Sequence, residues 1–107
     1  MKFRHQPPPQ LAEDHLNLYE AIASLQSAEE VRQFLYDLCT PAEVQAMTDR
    51  WKVVELIKTG KPYRKIYDET GVSSTTVGRV ARFLSMGAGG YELIYNRLKQ
   101  KKNNENQ

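Results

Sequence analysis

One cysteine, Cys39, and two histidines, His5 and His15, are the only thiol and imidazole groups in the 107 residues. Without a second thiol no intrachain disulfide forms, and without clustered cysteines or an HExxH pair the chain has no pattern for zinc or an iron–sulfur centre. A reducing compartment is expected, with no metal and no cofactor. Long apolar runs are also missing, since no stretch approaches the roughly 18 residues that a membrane span requires. The opening MKFRHQPPPQ runs into prolines where a signal peptide needs an apolar core. These absences predict a cytoplasmic protein that does not engage membranes.

Catalytic patterns are equally sparse. Gly87, Gly89 and Gly90 follow no predicted strand and lack the order of a Walker or dinucleotide loop. The adjacent carboxylates Glu13-Asp14, Glu29-Glu30 and Asp68-Glu69 do not project together as an acid–base pair. Cys39 lies in an apolar run with no histidine beside it. An enzyme is not expected.

What is present is the material for a single domain that gains from a partner, with 40% hydrophobic and 26% charged residues. Charge is segregated along the chain. Residues 1–49 hold three basic and eight acidic side chains, whereas residues 50–82 hold eight basic and three acidic ones. A net charge of only +2 therefore conceals a basic half.

Residues 1–10, with Pro7, Pro8 and Pro9 and the cations Lys2 and Arg4, read as a flexible arm. Leu11, Leu18, Ile22 and Leu25 recur at helical spacing and predict a helix over about 11–26. Ser27 followed by Glu30 is a capping-box pattern, and Val31, Phe34, Leu35 and Leu38 form the stripe of a second helix. Thr40-Pro41 with Glu43 opens a third, which runs to about Thr59 and carries Trp51 on its apolar periodicity. No alternating strand pattern interrupts these segments, so the fold class is all-α.

The segment 62–84 carries the functional signal. Pro62 opens a two-turn helix, Tyr63–Thr70, with Ile66 inward; Gly71 makes the turn, and Val72 plugs the angle between two helices. Ser73 or Ser74 caps the next helix, in which Val77, Val80, Phe83 and Leu84 recur at spacings of three and four. This is the pattern of a helix-turn-helix whose second helix enters the DNA major groove. Ser73, Ser74, Thr75 and Thr76 stand at its leading end, where hydroxyls reach base edges, and Arg64, Lys65, Arg79 and Arg82 supply cations for DNA. Gly78 weakens that helix and permits close approach to DNA or to another helix. The same pattern also suits a packing hairpin, so a non-enzymatic helical protein-interaction adaptor is the alternative reading. Ser85–Gly90 reads as a flexible break, Tyr91–Leu98 as a short helix, and 99–107 as a fraying tail.

Three stretches, Leu38-Cys39-Thr40-Pro41-Ala42-Glu43, Asp49-Arg50-Trp51-Lys52-Val53-Val54-Glu55-Leu56 and Gly71-Val72-Ser73-Ser74-Thr75-Thr76-Val77-Gly78-Arg79, resemble the tryptophan repressor family in order. More closely, the chain is similar to the YerC/YecD-type branch of small bacterial proteins, over about residues 11–98. The resemblance implies an intertwined helical homodimer that binds double-stranded DNA and regulates transcription, in the manner of a repressor. It also implies a small-ligand pocket, because Thr40, Arg50 and Arg79 match the family's amino-acid-binding threonine and arginines. Two departures stand out: Val80 replaces the glycine expected after the second arginine, and Phe83 replaces the serine expected to receive the ligand amino group. Tryptophan is accordingly not the expected corepressor, and Arg50 and Arg79 are left to bind another small anion, pair with carboxylates or contact DNA.

Overall fold

The computed structural model describes residues 9–105, and over these residues the fold is all-α, with six helices and no strand. Residues 1–8, most of the expected arm with Lys2, Arg4 and His5, lie outside the described residues, as do 106–107 at the end of the expected tail. The chain divides into two compact units, Met1–Pro41 and Ala42–Gln107. None of the described helices is long and apolar enough to cross a membrane.

The first unit holds α1 (Pro9–Ala23) and α2 (Ala28–Leu38). The first helix starts at Pro9, inside the segment expected to be an arm, because proline is well suited to an opening helical position that needs no amide proton. It also stops before the expected Gln26. The Ser24 hydroxyl donates to the Ala21 carbonyl at 2.6 Å and the Leu25 N–H to Ile22 at 3.1 Å, tightening the last turn. At the second helix the Ser27 hydroxyl accepts the Glu30 N–H at 3.1 Å, while the Glu30 carboxylate accepts the Gln26 N–H at 2.9 Å. The capping box thus closes one residue upstream of its usual partner. No residue over 11–41 is buried, and Leu16, Leu18, Tyr19, Ile22, Val31, Tyr36 and Leu38 are all exposed.

The second unit holds the core. Pro41 opens α3 (Pro41–Lys58), and the remaining helices are α4 (Tyr63–Thr70), α5 (Ser74–Met86) and α6 (Gly90–Glu105). Val53 and Val54 from α3, Ile66 from α4, Val72 from the turn, and Val77 and Val80 from α5 form one buried cluster, flanked by Trp51, Leu56, Ile57, Leu84 and Tyr91. The end of α3 is sealed by the Gly60 N–H on Ile57 at 2.9 Å and the Lys61 N–H on Leu56 at 3.1 Å, the paired bonds of a Schellman motif.

Two expected boundaries are corrected. The fifth helix includes Ser85 and Met86, expected in the break, because the Gly87 N–H still reaches the Phe83 carbonyl at 2.9 Å. The sixth does not end at Leu98 but continues through Glu105. Its start is held by the Lys58–Glu92 ion pair at 2.6 Å and by Tyr91 against Trp51, and once nucleated the helix propagates cheaply through a lysine- and glutamine-containing segment without proline or glycine.

Candidate nucleic-acid interface

The helix-turn-helix is built by local chemistry. Gly71 takes φ 74°, a left-handed conformation that glycine adopts without steric penalty, and its N–H caps α4 on the Tyr67 carbonyl at 2.8 Å. The Thr70 hydroxyl donates to the Ile66 carbonyl at 2.6 Å and accepts the Val72 N–H at 3.0 Å, so that N–H is paired while the Val72 side chain enters the core. Lys61 and Glu69 form an ion pair at 2.5 Å across the first helix of the motif. That hydrogen bond, reinforced by the charges of Lys61 and Lys65, holds the Glu69 carboxyl below the ordinary carboxylate range.

Ser73 is the cap of α5: its hydroxyl oxygen accepts the Thr76 N–H at 3.2 Å and also donates to the Thr76 hydroxyl at 3.1 Å. Of the four hydroxyl residues named from sequence, Ser73 and Thr76 therefore hold the helix start together, and Thr76 is half-buried. Ser74 and Thr75 are exposed on the leading turn. Thr75, Gly78, Arg79, Arg82 and Phe83 line one open groove of about 410 Å³ along the helix, on the side away from Val77 and Val80. The spacing explains the division, because residues three and four apart share a face and the valines occupy the opposite one.

Arg79 stacks its guanidinium over the Phe83 ring, 4.9 Å from the centroid. The same two side chains border a second groove, of about 520 Å³, with Ala88, Gly89, Gly90, Tyr91 and Ile94. Arg50 is half-buried on α3 and borders neither groove. Thr40 belongs to the first unit, just before Pro41. Arg64 and Lys65 are exposed on α4.

Sequence reasoning passed over Tyr63 and Tyr67, which are 54% and 53% exposed one turn apart on that helix. Their signal was available: two aromatic residues at i, i+4 in a two-turn polar helix whose buried position is already filled by Ile66. Among the described residues no group of three or more histidine, cysteine, aspartate or glutamate side chains is placed to hold a metal ion.

The arrangement has relatives. The family described as Trp repressor protein matches residues 13–99. The uncharacterized protein YerC of Bacillus subtilis is 40% identical over 83 residues, which is 78% of this chain and 80% of that one. A Staphylococcus aureus crystal structure, solved as a candidate Trp repressor, superposes with a TM-score of 0.78 at 38% identity, covering 81% of this chain and 87% of its own. A TrpR-like protein from Eubacterium eligens superposes with a TM-score of 0.77 at 32% identity, covering 81% and 90%. By these matches, the chain belongs to the Trp repressor family.

Proposed function

We propose that the chain is a sequence-specific transcriptional regulator, a repressor that binds double-stranded DNA as a homodimer in the cytoplasm. The observation that carries this reading is the two-sided character of α5. Val77 and Val80 are each 1% exposed and committed to the core, while Thr75, Arg79 and Arg82 line an open groove on the other side. A helix fixed in angle by its apolar face and free on its polar face suits insertion into a major groove. Ser74 and Thr75 are assigned to base edges, Ser73 and Thr76 to the helix start that aims them, and Arg64, Lys65 and Arg82 to phosphates.

The homodimer accounts for the first unit. Two helices with no buried residue over 11–41 leave an apolar surface that a second copy covers, and a two-fold, intertwined arrangement buries it on both chains. The two reading helices then address half-sites about 34–36 Å apart. Arg79 is proposed to hold a small anionic effector other than tryptophan, since Val80 is core and Phe83 offers a ring to Arg79 rather than a hydroxyl.

Selection of a duplex from a randomised library, followed by binding measurements over a series of salt concentrations, tests the reading. The parent is expected to prefer the selected duplex over a scrambled one and to lose affinity as salt rises. Thr75→Ala weakens binding by about 1–3 kcal/mol at one base-pair position only. Arg82→Ala weakens selected and scrambled duplexes alike and lowers the salt slope by about one. Absence of preference at every salt concentration overturns the regulator in favour of a protein-interaction adaptor.

A further inference from the structure

The fifth helix contains a residue that works against its own stability. Glycine inside a helix is unfavourable relative to alanine because it surrenders more backbone freedom and adds no packing. Two neighbouring glycines have structural reasons to be glycine. Gly71 has φ 74°, and at Gly87 a Cβ would stand 2.4 Å from the Phe83 carbonyl oxygen. Gly78 has neither: it lies within the helix without positive φ, and a Cβ built on it meets nothing within 4 Å. Alanine fits there and would strengthen the helix, so nothing among the described residues requires glycine.

Its position is on the exposed side of α5. Gly78 lies on the exposed groove between Thr75, one turn earlier, and Arg82, one turn later. Its N–H and C=O belong to the helical ladder, so it has no free donor or acceptor with which to read a polar edge. What it offers is a bare Cα surface, with Thr75 on the same groove. We propose that Gly78 is a specificity-determining residue of the reading helix, letting the backbone approach one base pair closely enough to seat the C5-methyl group of thymine. The thymine methyl is the apolar projection that distinguishes bases in the major groove, and threonine methyl groups commonly contact it. This inference rests on the DNA-reading role of α5.

The full chain, the duplex selected by the parent, and the variant Gly78→Ala make the test. Gly78→Ala is expected to fold, to melt some 4–8 °C higher than the parent, and to bind the selected duplex at least about tenfold more weakly. Its affinity for scrambled duplex stays that of the parent. Each thymine of the selected duplex is then replaced in turn by deoxyuridine, which removes only the methyl group. The parent loses about three- to fivefold at one position per half-site, in line with loss of one buried methyl, and Gly78→Ala is indifferent to that exchange. Returning the methyl as 5-methylcytosine, paired with guanine at the same position, recovers part of the affinity relative to unmodified cytosine. A selective parent that no deoxyuridine exchange weakens, or a Gly78→Ala variant with the parent's affinity and methyl dependence, overturns the proposal while leaving the regulator standing. A parent with no sequence preference overturns both.

Discussion

Replacing Ile66 with alanine takes three carbons from a side chain that is 0% exposed at the centre of the helix-turn-helix. At about 0.8 kcal/mol per buried methylene, the lost transfer free energy is about 2.4 kcal/mol. A cavity of roughly 80 Å³, if the surroundings do not relax, adds up to about 2 kcal/mol at some 24 cal/mol per Å³. The buried cluster consists of six residues, five of them valines whose stiff χ1 angles limit collapse into the gap. The expected destabilisation is therefore about 3–4 kcal/mol, well above the 0.5–1.5 kcal/mol expected for Ile66→Val. Urea titration of parent and variants at one protein concentration measures it, because oligomerisation makes any midpoint concentration-dependent. The midpoint should fall in the order parent, valine, alanine, with unchanged slope. An alanine variant within about 1 kcal/mol of the parent would refute the view that Ile66 fixes the angle between α4 and α5.

Sedimentation of the full chain should show a dimer whose mass does not fall on dilution through the micromolar range, and Ile22→Asp, on the exposed stripe of α1, should dissociate it; a folded parental monomer at high micromolar concentration refutes the dimer. Saturating tryptophan should change affinity for the selected duplex by less than about twofold, and a larger, reciprocal coupling would show that Val80 and Phe83 do not block the amino acid. The Lys61–Glu69 pair gives a pH dependence: a folded-state carboxyl held below its unfolded value contributes stability above the unfolded value and loses it as pH falls through the folded one. Glu69→Gln should therefore be less stable than the parent at neutral pH and converge with it as pH falls through the folded-state value of Glu69; parallel stability curves would assign the pair no role.

Legibility in the sequence followed the range of each interaction. The starts of α2, α3 and α5 were readable because a cap is decided within four residues, as Ser27 with Glu30, Pro41, and Ser73 with Thr76 show. Ile66, Val72, Val77 and Val80 were readable as inward residues because helical period and the Gly71 turn leave them one side to face. The length of α6 was not readable, since its anchors, Lys58 with Glu92 and Trp51 with Tyr91, join residues 34 and 40 positions apart. The charge pattern indicated a basic half but not which cations are engaged. Lys58 and Lys61 are held in ion pairs, whereas Arg82 remains on the open groove.

Arg79 is where the two halves of the proposed function meet. Its guanidinium lies on the Phe83 ring, and both side chains border the groove along the reading face and the groove formed with Ala88–Tyr91 and Ile94. On the proposed reading, an anion entering the second groove would compete with the ring for the same guanidinium. Coupling of this kind needs no long-range pathway, because a single side chain borders both grooves. It also limits what the effector can be. Val80 is 1% exposed and committed to the core, so the proposed effector is a small anion held at the surface beside Arg79. Linkage then sets the size of the response: an effector moves DNA affinity only by as much as DNA moves the affinity for the effector, and both are bounded by the modest stacking of one arginine on one phenylalanine, about 0.5–2 kcal/mol.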